Sequence, residues 1–101
     1  MREFSPATID SISFHNKAVK VIQKKAGYRF AIDAILLSDF VKIKADDKNI
    51  IDIGTGSGII AILLAKCFLH IKITGIELQK GLFELAKESV RLNRLEAQVH
   101  I

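Results

Sequence analysis

The feature that most constrains this sequence is a short apolar run that contains an acid and continues into three alternating glycines. It reads Ile-Ile-Asp-Ile-Gly-Thr-Gly-Ser-Gly over residues 50–58, and a mostly apolar stretch, residues 59–69, follows at once. Glycine permits backbone angles and close approaches that a Cβ forbids. The pattern predicts a strand, a tight turn and the start of a helix. That geometry brings backbone N–H groups close to a nucleoside ligand.

A second acid stands at the end of a second predicted strand. Residues 71–76 lead into Glu77, which lies 19 residues after Gly58. An acid at this place can accept hydrogen bonds from ribose hydroxyls. The competing interpretation is an acid that favours the start of the next helix through its dipole. Leu78 follows, and its apolar side chain could pack against an adenine ring or belong to the core.

The remaining pattern predicts an α/β fold with a parallel sheet. Residues 80–95 carry apolar side chains at helical spacing, with Leu82, Phe83, Ala86 and Val90 as the inner stripe, and residues 98–101 open a third strand. The order β-α-β-α-β implies right-handed crossovers. In a doubly wound sheet the first strand is central. Here we expect that strand to be an exposed edge, unless an N-terminal hairpin or a second copy of the chain covers it.

The sequence before this unit predicts a different arrangement. A Ser-Pro pair favours a short helix over residues 6–11, and residues 12–14 and 19–22 are expected to form a hairpin with its turn at 15–18. Helical spacing continues over residues 31–42. We therefore divide the chain into a hairpin and helix segment, residues 1–45, and the first half of a Rossmann-like domain, residues 46–101.

Charge and cysteine content restrict the environment and the partners. The net charge is +4, and residues 11–32 contain no acid but five cations, Lys17, Lys20, Lys24, Lys25 and Arg29. Such a strip suits a polyanion such as tRNA, and a solvated hairpin face is the alternative. Cys67 is the only cysteine, and the longest apolar run is too short for a bilayer. We expect a cytoplasmic protein without a membrane segment or a metal site.

The type of cofactor follows from the acid before the glycines. A dinucleotide site favours G-x-G-x-x-G, whereas this chain has G-x-G-x-G. Asp52 would repel a pyrophosphate but suits a cofactor with a positive amino group and a sulfonium, namely S-adenosylmethionine. Asp52 could instead cap the helix, and Thr55 or Ser57 is also expected to cap it. An oxidoreductase domain of the NAD type stays open as the alternative.

Residues 52–58 resemble the first motif of the class I S-adenosylmethionine-dependent methyltransferases, and Glu77 resembles their ribose-binding acid. Residues 23–37 contain Gly-Tyr-Arg-Phe-Ala-Ile-Asp and are similar to the segment before the cofactor fold in bacterial tRNA1(Val) adenine N6-methyltransferases. The resemblance implies that residues 1–45 fold over the cofactor site. It implies a cofactor-binding set of Arg29, Asp33, Asp52, Gly54, Thr55, Gly56, Gly58, Glu77 and Leu78.

The same resemblance implies tRNA adenine N6-methylation in the full-length enzyme, with tRNA bound along residues 17–29. Those enzymes hold the target adenine with an Asn-Pro-Pro-Tyr motif, and the only proline here is Pro6. We therefore expect this chain to be the cofactor-binding half, without catalytic residues and inactive alone. A non-enzymatic half-domain that self-associates through its sheet edge is the other alternative.

Overall fold

The computed structural model describes residues 7–24 and 32–101, with a two-stranded sheet, three helices and a three-stranded sheet. Expectations that concern residues 1–6 and 25–31, including those for Arg29, lie outside the described residues. The elements are β1 (Ala7–Phe14), β2 (Lys17–Lys24), α1 (Ile32–Phe40), β3 (Asn49–Ile53), α2 (Ile59–Cys67), β4 (Lys72–Ile76), α3 (Lys80–Leu92) and β5 (Val99–His100).

The first two strands form an antiparallel hairpin that is longer than predicted. The turn consists of His15 and Asn16, both with positive φ (50° and 63°), as in the turns that match the twist of a two-residue hairpin. The prediction of a helix over residues 6–11 is wrong where the structure describes it, because β1 begins at Ala7. Ile9 pairs with Ile22 across the hairpin, and this pairing satisfies a backbone that the Ser-Pro signal assigned to a helix.

The second sheet is parallel and has the order β3-β4-β5. Its register places Asp52 opposite Gly75, and Ile73 opposite both Ile50 and Val99. Strand, helix, strand, helix and strand follow one another along the chain as the sequence predicts. The architecture is that of a partial Rossmann-like α/β fold.

One face of this sheet is covered by α2. Ile73 and Val99 are buried on that face and belong to the same core as the side chains of α2. Five consecutive residues of the helix are buried, Ala61–Ala65, because α1 and β2 pack on it from outside while the sheet lies beneath. In the described part of the chain, no helix has both the length and the apolar character that a membrane span requires.

The hairpin packs against α3. The hydroxyl of Ser89 accepts a hydrogen bond from the N–H of Ile22 at 2.8 Å, and the side chain of Asn93 accepts one from the N–H of Lys20 at 3.0 Å. The buried stripe of α3 is therefore rotated from the predicted one. Its buried residues are Leu85, Ala86, Ser89 and Val90, whereas Leu82 and Phe83 are only half-buried.

The opposite face of the parallel sheet is open within the described residues. Ile51 and Ile53 on β3 are 63% and 81% exposed, and Ile76 on β4 is 50% exposed. β3 lies at the edge of its sheet, as predicted, and the hairpin forms a separate sheet that does not pair with it. The apolar pattern of β3, typical of a strand buried on both faces, thus meets cover on one face only.

Candidate functional site

The three glycines of the predicted motif form a loop between β3 and α2, and all three have positive φ. The values are 71° for Gly54, 60° for Gly56 and 85° for Gly58. The N–H groups of Gly54 and Thr55 both donate to the carbonyl of Ile76, at 2.8 and 2.9 Å. The loop is therefore fixed to the end of β4, at the carboxyl edge where ligands bind in parallel sheets.

Two of the loop glycines have no described neighbour where a side chain would begin. A Cβ placed on Gly54 or Gly56 would meet no heavy atom within 4 Å, so these glycines serve the backbone conformation and leave room above it. A Cβ on Gly58 would lie 3.4 Å from the Cβ of Ala86. Gly58 therefore lies against α3.

No side chain caps the start of α2, so the expectation that Thr55 or Ser57 does so is wrong. Gly58 is the N-cap residue, in the left-handed conformation and with no side-chain cap hydrogen bond. The hydroxyl of Thr55 donates instead to Asp52 Oδ2 at 2.7 Å, and Asp52 makes no hydrogen bond to the start of α2 within the described residues. The first N–H groups of a helix lack intrahelical partners, and here no side chain among residues 7–24 and 32–101 accepts from them.

Glu77 joins the glycine loop to the start of α3. Its Oε1 accepts a hydrogen bond from the N–H of Gly56 at 2.9 Å, and its Oε2 accepts one from the N–H of Gln79 at 2.9 Å. Each carboxylate oxygen has room for a further hydrogen bond. Leu78 is 98% exposed, so the interpretation of this residue as core is wrong.

The structure brings most of the predicted site together at one end of the parallel sheet. Asp52, Glu77 and the glycine loop are joined by the hydrogen bonds given above. Asp33 is the second residue of α1, and its side chain lies outside the described residues. The helices α1 and α2 are in contact, and their C-terminal residues Asp39 and Cys67 line one cavity of about 280 Å³. The C-terminal ends of these two helices therefore lie close together.

The sequence reasoning missed Gly75, which lies on β4 opposite Asp52. A Cβ at this position would come within 2.8 Å of Ile101 Cδ1 and 2.9 Å of Thr55 Oγ1. An isolated glycine inside a strand pattern is the signal that could have identified it, because such a glycine often marks a close approach.

Two polar side chains that contact each other line the cavity at the C-terminal end of α2. His15 Nε2 and Asp39 Oδ1 are 2.8 Å apart, which ties the hairpin turn to α1. Burial raises the pKa of the nearby Cys67 thiol above its ordinary value, and the charge of Lys17 only partly opposes this. The thiol is therefore protonated at neutral pH, as expected for an unreactive cysteine.

Known proteins with similar sequences are methyltransferases. The chain is 23% identical over 94 residues to the tRNA1(Val) (adenine(37)-N6)-methyltransferase of Vibrio vulnificus, covering 93% of this chain and 39% of that protein. It is 30% identical over 76 residues to the Flavobacterium psychrophilum enzyme of the same name, covering 75% of this chain and 32% of that protein. The chain thus spans less than two fifths of the length of these relatives.

Solved structures agree on the fold. A Pyrococcus horikoshii protein provisionally assigned as a transferase matches 92% of this chain and 35% of its own length, with a TM-score of 0.72 and 19% identity. A SAM-dependent methyltransferase from Agrobacterium tumefaciens matches 97% of this chain and 33% of its own length, with a TM-score of 0.65 and 14% identity.

A family model supplies the assignment. The model of protein-L-isoaspartate(D-aspartate) O-methyltransferase (PCMT) matches residues 1–101. Together with the β-α-β-α-β order and the glycine loop between two acids, this match makes the chain a member of the PCMT family within the class I methyltransferases.

Proposed function

We propose that this chain is the S-adenosylmethionine-binding half of a methyltransferase. The observation that carries the proposal is the contact between Glu77 and Gly56, which holds a carboxylate against the glycine loop at the same end of the parallel sheet as Asp52. Two carboxylates around an open loop suit a ligand with hydroxyl groups and a positive charge. Asp52, which stands directly before the glycines, opposes a pyrophosphate, and this counts against the NAD-type alternative.

The residues would divide the ligand between them. Glu77 would accept hydrogen bonds from the ribose hydroxyls, and exposed Leu78 would lie against the adenine ring. Asp52 would accept hydrogen bonds from the amino group at the methionine end. Arg29 and Asp33, in the segment of residues 1–45 that we propose folds over the site, would act at the same end. When bound, the cofactor supplies an electrophilic methyl group.

Two observations suggest different methyl acceptors. The curated relatives act on adenine in tRNA, and Lys17 and Lys20 are exposed on the hairpin where a polyanion could reach them. The family model is named for isoaspartyl groups in proteins. We favour tRNA for the complete enzyme, acting in the cytoplasm, because the exposed lysines of the hairpin suit a polyanion and have no evident use with an isoaspartyl acceptor.

Methyl transfer is the direct test of acceptor and completeness. Purified chain is incubated with radiolabelled S-adenosylmethionine and either tRNA or an isoaspartyl peptide. We expect no transfer to either, because the chain spans at most 39% of the Vibrio enzyme and has no Asn-Pro-Pro-Tyr motif. Transfer to tRNA would contradict the proposed inactivity, and transfer to the peptide alone would contradict the choice of acceptor.

Cofactor binding is tested separately by calorimetry with S-adenosylhomocysteine. We expect one-site binding that is lost in Glu77→Ala and kept in Glu96→Ala, which removes an equal charge from an exposed turn outside the loop. NAD is the comparison ligand. Binding of NAD in preference to S-adenosylhomocysteine would reverse the choice between the two cofactor classes.

A second candidate function is self-association, favoured by the edge and face of β3 that the described residues leave uncovered. Ile51 and Ile53 expose apolar surface beside the free edge, and such an edge is a template for pairing with another chain. Light scattering coupled to size-exclusion chromatography measures the mass. A dimer that Ile53→Lys converts to a monomer would support this candidate, and a monomeric wild type would remove it.

A further inference from the structure

Thr55 is a buried residue of the glycine loop, and its hydroxyl contacts the Asp52 carboxylate. The residue is 5% exposed, and its Oγ1 donates a hydrogen bond to Asp52 Oδ2 at 2.7 Å. Hydrogen bonds to an ionised group are stronger than those between neutral groups. The bond therefore restrains the rotation of the carboxylate at the end of β3.

Gly75 makes the room that Thr55 occupies. It pairs with Asp52 across β3 and β4, and a Cβ on it would lie 2.9 Å from Thr55 Oγ1 and 3.0 Å from Thr55 Cβ. Real Cβ atoms essentially never approach other atoms below 3.0 Å, so a side chain at position 75 would displace Thr55 or its neighbours. The need for glycine is steric here, because Gly75 does not have positive φ.

The backbone of Thr55 is fixed as well. Its N–H and that of Gly54 share the carbonyl of Ile76, and its own carbonyl accepts a hydrogen bond from the N–H of Gly58 at 2.8 Å. Thr55 cannot move away from β4 without breaking these hydrogen bonds. The hydroxyl of Thr55 therefore has a fixed position from which it holds the Asp52 side chain.

We propose that Thr55, seated over Gly75, is a positioning residue that orients Asp52 for the ligand. Its hydroxyl engages Oδ2, and Oδ1 is then available to accept hydrogen bonds from the amino group at the methionine end of S-adenosylmethionine. This inference rests on the proposed function, because Asp52 has a ligand to orient only if the site binds that cofactor. Thr55 would then raise the affinity for a ligand that carries the amino-acid end and leave unchanged the affinity for a ligand that lacks it.

The test compares two ligands in three proteins by calorimetry. S-adenosylhomocysteine carries the amino-acid end, and 5′-methylthioadenosine lacks it. In Thr55→Val we expect affinity for S-adenosylhomocysteine to fall about tenfold, which corresponds to about 1.4 kcal/mol. Affinity for 5′-methylthioadenosine should stay within about twofold, since its contacts do not include Asp52. Thr55→Ser keeps the hydroxyl and should restore wild-type affinity for both.

Each outcome has a definite meaning. A folded wild type that binds neither ligand overturns the proposed function, and this inference with it. A wild type that binds S-adenosylhomocysteine while Thr55→Val binds it equally well, or loses both ligands equally, overturns only the positioning role. If circular dichroism shows that Thr55→Val is unfolded, Thr55→Ala removes the hydroxyl without adding a methyl group, and the same comparison of two ligands applies.

Discussion

Glu77 accepts a hydrogen bond from the backbone N–H of Gly56, although the two residues are 21 positions apart in the chain. The distance is 2.9 Å, and the second carboxylate oxygen is held by Gln79 at the start of α3. One side chain therefore joins the glycine loop to the beginning of the next helix.

The first prediction concerns the carboxylate of Glu77. In Glu77→Gln only one side-chain oxygen remains to accept, so one of the two backbone N–H groups loses its acceptor and the other keeps an uncharged one. Because Glu77 is only half-buried, we expect a loss of about 1–2 kcal/mol in the free energy of unfolding, measured with urea. Glu88→Gln is the control. It lies on the exposed face of α3 beside Arg91, where an ion pair should contribute less than about 1 kcal/mol. Equal effects in the two variants would contradict the assigned role of Glu77.

The second prediction contrasts two glycines that are needed for different reasons. Gly75→Ala should destabilise the chain by about 1–3 kcal/mol, because the new Cβ overlaps Thr55 and Ile101. In Gly54→Ala the new Cβ has free space, but the residue must keep a positive φ of 71°. This conformation should lower the free energy of unfolding by about 1–2 kcal/mol for an L residue.

Asparagine separates the two mechanisms. It tolerates the left-handed conformation better than alanine does, so Gly54→Asn should be more stable than Gly54→Ala in urea unfolding. At position 75 the larger side chain should make Gly75→Asn worse than Gly75→Ala. The opposite order at either position would show that the physical reason given for that glycine is wrong.

The third prediction concerns the attachment of the hairpin to α3. Ser89 is fully buried, and its hydroxyl accepts the hydrogen bond from the N–H of Ile22. Ser89→Ala leaves that N–H without its partner, and we expect a loss of about 1–3 kcal/mol in the free energy of unfolding. Ser13→Ala, at an exposed position of β1, should change it by less than about 0.5 kcal/mol. A neutral Ser89→Ala would mean that water or another group replaces the hydroxyl.

The fourth prediction uses the two faces of the parallel sheet. Ile73 is 1% exposed on the covered face, and Ile73→Ala should lower the free energy of unfolding by about 2–5 kcal/mol. Ile53→Ala removes the same atoms from the open face and should cost less than about 1 kcal/mol in a monomer. Urea unfolding at several protein concentrations measures both. A large cost for Ile53→Ala that grows with concentration would show that this face is covered by association.

The fifth prediction follows from the raised pKa of Cys67. The folded state holds the thiol proton more tightly than the unfolded state does. The resulting stability is fully present below the ordinary pKa of 9.0, and it is lost as pH rises through the higher pKa of the folded state. Wild type should therefore lose more stability above pH 9.0 than Cys67→Ala, which has no thiol to ionise. Alkylation by iodoacetamide at neutral pH should also be slower than for free cysteine. If the free energy of unfolding falls equally with pH in the two proteins, the ionisation of Cys67 is not the cause of the loss.

Local sequence patterns predicted the elements that the structure describes from β3 onwards. The apolar run before Asp52, the glycines after it and the spacing to Glu77 are short-range features, and each specifies a strand, a turn or a helix without reference to distant residues. The hairpin was also predictable, since His15 and Asn16 separate two β-branched runs. The helix expected over residues 6–11 failed because a local Ser-Pro signal is weaker than a full set of cross-strand pairs.

The sequence by itself determined the order of strands and helices and the two acids that flank a glycine loop. Only the tertiary structure decided how these residues are used. Thr55 bonds to Asp52 rather than capping α2, because Gly75 on the neighbouring strand provides space for it. Ile51 and Ile53 are exposed despite their apolar character, since α2 covers only the opposite face of the sheet. Contacts between segments distant in the chain depend on how strands and helices pack, and local patterns do not contain that information.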